Sequence, residues 1–452
     1  MAFLEQEKGG YNSKGVEVSQ TKVFETVVEK IRERLASLPD GRKGKNKRYT
    51  VADATLSAFG VFFTQTPSFL SYQRKMAKQK GKSNSQSLFG VHEIPSDNQI
   101  RNLLDGVPPR AIFPIFEEIW QVLEEAGQVE QFRDVKQTLL VALDGTEYFS
   151  SEKIHCDQCS SREQKSGKQR YFHSVVTPVV VSPNQPHALP LVPEFVTPQD
   201  GHDKQDCEIA AAKRWLDANH ERLRESRVTI LGDDLYCRQP FCEQLVEAGL
   251  DFIFVCRPTS HPTLYDHLKG IDLPTVTTTV NCGRKRHTWR YRYLNDVPLR
   301  DGDDALLVNW CELSVRQPDG SVCYSNSFAT RYRLDDDIVA DIVRAGRTRW
   351  KVENENNNTL KTHGYHLEHN FGHGQQHLAS LLATLNILSF LFHTLLDLLD
   401  RNYKLLRDHL PTRQTFFDDL RALTRYICFD SWSHLLAFML DALELLPFDD
   451  TT

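Results

Sequence analysis

Three short, nearly unbroken apolar runs constrain this chain more than any other feature: TLLVALD ending at Asp144, RVTILGD ending at Asp233, and DFIFVCRP beginning at Asp251. A strand with one wet face alternates apolar and polar residues, whereas a strand without alternation is covered on both faces. Such strands need layers above and below them. Helical spacing from Gln205 to His220 and near Pro240 to Gly249 supplies that cover. Two further β-rich runs, YFHSVVTPVVVS and ALPLVPEFVT, lie between the first and second apolar runs. Strands alternating with helices after such a meander predict an α/β fold with a sheet of mixed direction.

The flanks read differently. Val23 to Leu38 places Val23, Val27, Val28, Ile31 and Leu35 on one helical face and stops at Pro39-Asp40-Gly41. Val51 to Phe63 and Ile112 to Ala126 are similar, and Ser96 or Asp97 is placed to cap a short helix from Asn98 to Leu104. Residues 1–134 are therefore expected to be all-helical, and 135–259 to form the first part of the α/β core. Residues 260–333 carry TVTTTVNC, HTWRYRYL, ALLVNWCELSVR and SVCYSNSFATR, the last two joined by the turn Gln317-Pro318-Asp319-Gly320. They predict a β-rich insertion. Residues 334–452 return to helix, first from Leu334 through Lys361 and then from Gln375 onward. Four such parts suit a chain of 452 residues.

The longest apolar run, Leu378 to Leu399, is interrupted by Asn386, His393 and Asp397, which predicts a buried helix rather than a membrane span. The ten cysteines are mostly scattered, and MAFLEQEKGG lacks the apolar centre of a signal peptide. Both point to a reducing cytoplasm. The net charge of −6 argues against a surface that coats nucleic acid throughout. Its distribution qualifies that reading. Between Gly41 and Lys82, ten cationic residues, among them Arg42, Lys43, Lys45, Lys47 and Arg48, face a single Asp53, leaving +9 there and −15 elsewhere. Such a stretch suits phosphate contact or a solvated surface.

Asp144 and Asp233 end buried strands, where ligands collect in α/β folds. In RTRWKVENENNNTLK, Arg349, Glu353 and Asn357 are four apart and share a helix face, on a segment of poor helix formers. Three carboxylates brought together repel unless cations lie between them, and an oxygen-only set favours Mg2+ or Mn2+.

Asp144 after the first strand, Asp233 with Tyr236 three residues on, and Glu353 with Arg349 four before it, behind a β-rich insertion, resemble the DDE-type insertion-sequence transposases. The likeness spans about residues 138–400. It implies a ribonuclease H-like mixed sheet flanked by helices, with an all-helical N-terminal module that binds transposon ends and a β-strand insertion. It also implies two Mg2+ or Mn2+ ions on Asp144, Asp233 and Glu353, with DNA cleavage and strand transfer, and DNA-backbone contacts from Arg349 and Lys361. The resemblance also implies a homodimer on transposon-end and target DNA, since two ends must be joined in one event, and a place on the nucleoid, when on DNA, in a prokaryotic cytoplasm. The related signature carries Tyr where this chain has Gly346 and Lys where it has Leu360, Lys361 being one residue late. Asp234 and Glu355 are the rival carboxylates. The alternative reading is a transposase-derived, non-catalytic DNA-binding protein.

Two other constellations stand out. Cys156 and Cys159 form a CxxC able to share a structural zinc, with His173 downstream and a His-rich stretch at His363, His366, His369, His373 and His377. A zinc hydrolase is disfavoured because no HExxH or comparable set is present. In CGRKRHTWRYRY, Arg284, Lys285, Arg286, Arg290 and Arg292 interleave with Trp289, Tyr291 and Tyr293. This suits DNA contact with base stacking, or a strand with Arg outward and aromatics inward. The resemblance makes Trp289 and Trp310 candidates to hold a flipped base.

Overall fold

The computed structural model describes residues 22–38, 40, 42, 47–198, 206–282 and 285–445. Its strands up to residue 196 are β1 (Leu139–Ala142), β2 (Gly145–Ser151), β3 (Ser160–Glu163), β4 (Gln169–Val176), β5 (Val179–Val181), β6 (Leu189–Pro190) and β7 (Glu194–Val196). Then come β8 (Val228–Gly232), β9 (Asp251–Val255), β10 (Thr275–Cys282), β11 (Lys285–Pro298), β12 (Leu307–Arg316) and β13 (Val322–Thr330). The three apolar runs are β1, β8 and β9, and they are neighbours in one nine-stranded sheet ordered β10-β11-β12-β13-β9-β8-β1-β5-β6. Within it β1, β8 and β9 run parallel, while β5 and β13 pair antiparallel. The architecture is α/β with a mixed sheet, as the periodicity implies.

The segment 260–333 is not set apart from this sheet. Its strand β13 pairs with β9 through Ala329 opposite Phe254, so β10 to β13 prolong the core sheet to its far edge. The run YFHSVVTPVVVS divides at Thr177-Pro178. Strand β4 joins β2, β3 and β7 in a second, four-stranded sheet, while β5 stays on the main one. Pro178 has no N–H to continue a ladder, which makes it the natural point of departure. Strand β2, starting one residue past Asp144, has mixed polarity and is not evident in the sequence.

The helix expected over Leu334–Lys361 is interrupted. The Asp335 carboxylate accepts from the backbone N–H of Asp337 and Ile338 at 3.0 and 2.9 Å, holding a turn, and helix begins only at Val339. It ends at Arg347, and a wide π-type turn follows from Val352 to Asn357. Such turns insert one residue and are frequent at functional sites.

The N-terminal helices Val23–Ala36 and Val51–Phe63 lie against the C-terminal ones, and they share one hydrophobic core with one face of the sheet. Phe24 stacks on Trp432 at 4.6 Å and on Phe392 at 5.5 Å between ring centres. The amide of Asn84, fully buried, donates to the carbonyls of Thr424 and Ile427 and accepts from the N–H of Phe429. The expected cap at Ser96 is present, with Gln99 reciprocating. Leu378–Leu399 is, among the described residues, the one helix long and apolar enough to cross a membrane, and nearly all of it is buried inside this fold.

Candidate active site

Register places the first two carboxylates side by side. Ala142 pairs with Leu231 in the parallel β1–β8 ladder, and Asp144 and Asp233 each lie two residues beyond that pair. Adjacent strands run about 4.8 Å apart, so the two side chains leave neighbouring strand ends in one direction. Asp233 accepts from the N–H of Leu235 at 2.8 Å. Asp234 turns elsewhere, accepting from the N–H of Arg257 at 2.7 Å and lying 3.5 Å from His261.

The π-type turn brings in the third group. Asn357 donates its side-chain amide to Asp144 Oδ2 at 2.7 Å, while its own Oδ1 accepts from Thr177 Oγ1 and from the Asn356 amide, both at 2.9 Å. Glu353, one turn earlier, holds the guanidinium of Arg349 at 2.6 Å. Glu355 is exposed and lines a different hollow with Asn354 and Asn358. Gly346 leaves no room for the Tyr of the related signature: a Cβ there would lie 2.7 Å from the ring of Phe328.

A fourth carboxylate, Glu208, closes the group. It accepts from the N–H of Gly145 at 3.0 Å and from the hydroxyl of Tyr236 at 2.7 Å. The sequence offers no sign of this, because an acidic residue opening a helix reads as an ordinary partner of the helix dipole. The contact also explains Gly145: a Cβ would fall 2.2 Å from Glu208 Oε2.

Burial pushes the Asp144 carboxyl up, with repulsion from Glu208, Glu353 and Asp233 adding to it and Arg349 opposing, to about 7. Glu208 is raised as well, again chiefly by burial, and the Tyr236 phenol is driven well above its ordinary value by burial and by Glu208. Repulsion among under-compensated acids is relieved by a bound cation. The oxygen donors present fit Mg2+ or Mn2+ in kind. Among the described residues, the sets whose ligand atoms all lie within 4.8 Å of one another are made of Cys and His, and the three carboxylates are not such a set.

Cys156, Cys159, His173 and His373 make one of those sets; Cys237, Cys256 and His261 make the other. In the first, burial and His373 lower His173 to about 4, and burial raises Cys159 to about 11. In the second, hydrogen bonds from Cys242 and Cys256 hold the Cys237 thiol well below its ordinary value. The nine cysteines other than Cys282 are free thiols.

The residues expected to meet DNA fall into three groups. Lys43, Lys45 and Arg284 lie outside the described residues. Several others are already paired: Arg42 and Lys47 with Asp40, Arg48 with Glu93, and Lys361 with Glu368. Arg349 is buried against Glu353. Lys285 and Arg286 are exposed on the outer part of the sheet. Trp310 does not suit a flipped base: it is buried in the core, its indole N–H donating to Tyr265. Trp289 is half-buried with the Arg347 guanidinium 4.9 Å above its ring, and Tyr291 and Tyr293 face inward while Arg290 faces out.

No protein-family model matches the chain, and no curated protein matches its sequence.

Proposed function

We propose that the chain is a DDE-type DNA transposase with a ribonuclease H-like core. In this reading it binds the ends of its insertion sequence and cleaves and joins DNA with Mg2+ or Mn2+. The observation that carries the proposal is that Asp144 and Asp233 follow neighbouring parallel strand ends, while Glu353, on the turn tied to Asp144 through Asn357, adds to the repulsion on the Asp144 carboxylate. A central strand with a parallel neighbour on one side and an antiparallel one on the other supports the fold assignment.

Asp144, Asp233 and Glu353 would hold the metal ions. Bound there, two divalent ions would activate water or a DNA 3'-hydroxyl and stabilise the attacking and leaving oxygens together. Asn357, anchored by Thr177, fixes the rotamer of Asp144. Glu208 adds negative charge at the same centre while Tyr236 and the Gly145 N–H hold it in place. Lys285 and Arg286, exposed on the outer strands, would supply phosphate contacts for a homodimer engaging two DNA ends in a prokaryotic cytoplasm.

The Arg349–Glu353 ion pair favours a second reading, a transposase-derived DNA-binding protein that no longer cuts. One assay separates the two. With Mg2+ and the DNA flanking its own coding region, the enzyme yields nicks and strand-transfer products that Asp144→Ala abolishes. Binding without products supports the second reading, and products that survive Asp144→Ala overturn the assignment of the triad.

A further inference from the structure

Four side chains from three separate parts of the chain point their ligand atoms at one spot. Cys156 and Cys159 sit in the loop between β2 and β3, His173 on β4, and His373 in the loop before the Leu378–Leu399 helix. The Sγ atoms are 3.9 Å apart; His173 Nε2 lies 3.7 and 3.4 Å from Cys156 and Cys159. His373 Nε2 lies 3.3 Å from Cys159 Sγ and 3.1 Å from His173 Nε2. A tetrahedral zinc with bonds of about 2.3 Å to sulfur and about 2.05 Å to nitrogen separates its ligands by roughly 3.8 Å for S–S, 3.6 Å for S–N and 3.3 Å for N–N. Five edges of the tetrahedron thus agree to within about 0.3 Å, and the sixth atom pair is within 4.8 Å.

The orientation of the groups suits metal ligation. His373 Nδ1 is 3.0 Å from the carbonyl of Gly374, an acceptor only, so Nδ1 carries the proton and Nε2 presents a lone pair to the centre. The N–H of Cys156 points at Cys159 Sγ from 3.5 Å, an arrangement that stabilises a thiolate. Two sulfurs and two imidazoles with no open position make a closed structural site of the kind that suits zinc.

We propose that Cys156, Cys159, His173 and His373 bind one structural Zn2+ that fastens the loop carrying His373 to the small sheet. That sheet begins with β2, one residue after Asp144, and His373 follows the Glu353 turn. The ion would therefore clamp the two segments that carry Asp144 and Glu353. The assignment does not depend on what the acidic centre does, and its test reads metal rather than DNA.

The test compares zinc content of the full chain, purified without chelator, with that of Cys156→Ser and His373→Ala. The expected result is a loss of one zinc equivalent per chain in each variant and none in His369→Ala, with Cys237, Cys256 and His261 left untouched throughout. Cobalt-loaded wild type should show the intense d–d bands of a tetrahedral site, with thiolate charge-transfer absorption reduced in Cys156→Ser. Should the variants fail to fold, zinc-edge absorption of the wild type reads the site directly, with a sulfur and imidazole shell expected. Zinc content equal in wild type and folded variants, or a zinc shell without sulfur, overturns the proposal.

Discussion

Asn357 and Asp144, 213 residues apart in sequence, are joined by a 2.7 Å hydrogen bond from the Asn amide to the Asp carboxylate. The bond ties the π-type turn to the end of the central strand, and it makes Asn357 a positioning residue for whatever Asp144 binds. Asn357→Asp would replace a donor with a second anion at that distance. The expected outcome is a loss of about 1–3 kcal/mol without metal, the cost of a buried unpaired charge, with Mg2+ restoring more stability to the variant than to wild type. Thermal unfolding with and without Mg2+ measures it; equal Mg2+ shifts in both proteins would count against a cation at this centre.

A Cβ at position 145 would meet the Glu208 carboxylate, which would have to move away. Gly145→Ala should cost about 1–3 kcal/mol by overpacking and displace the Glu208 carboxylate from the Tyr236 hydroxyl. Glu208→Ala in the same chain opens the space, so the double variant should be more stable than the sum of the two single effects. Denaturant titration of the four proteins gives the coupling, and strict additivity would contradict the contact.

Asn84 satisfies three backbone groups of the C-terminal helices from within the N-terminal ones. Asn84→Leu would leave all three without partners, at about 3 kcal/mol or more. Because the two regions share a core, fluorescence and circular dichroism should report one transition for the variant, shifted to lower denaturant. Loss of the N-terminal helices alone would show that the regions fold separately.

Burial raises Asp400 to about 6, above its ordinary 3.8, although it caps a helix through the N–H of Tyr403 and accepts from Trp432. A carboxyl whose folded value is raised favours the folded state when protonated. Its contribution is therefore full below pH ~4 and is lost as pH rises through ~6, about 3 kcal/mol at most at 1.36 kcal/mol per unit. Asp400→Asn removes the titrating group but keeps only one of the two acceptor contacts, its amide NH2 having no lone pair for the other donor, and should flatten the stability profile between pH 4 and 6.

If DNA is the partner, exposed and paired cations should differ in their effect on it. Lys285→Ala with Arg286→Ala should lower the slope of log affinity against log salt by about 2, one per phosphate contact. Arg42→Ala should change it little, because that guanidinium is held by Asp40 and the carbonyl of Tyr49. A salt titration of binding to duplex DNA decides, and equal slopes would remove the outer strands from the interface.

The lengths and placements of β1, β8 and β9, the helices Val23–Ala36 and Val51–Phe63, and the buried Leu378–Leu399 helix were legible because apolar periodicity is local and registers burial directly. Asp144 and Asp233 could be singled out on the same ground, as the polar residues that end buried runs. The break at Thr177-Pro178 and the late helix start at Val339 were less legible. Each depends on a proline or an Asp side chain competing with backbone hydrogen bonding.

What the sequence determined by itself is the kind of layer each segment forms and where its apolar face lies. Tertiary structure alone decided which distant residues meet: Glu208 with Tyr236, Asn357 with Asp144, and His373, out of five histidines in its stretch, with Cys156, Cys159 and His173. It also decided that Arg42, Lys47 and Arg349 meet acids while Lys285 and Arg286 stay open to solvent. Local patterns report whether a residue is buried, but a partner is chosen by strand register and by the packing of elements far apart in the chain, and neither is encoded in any one segment.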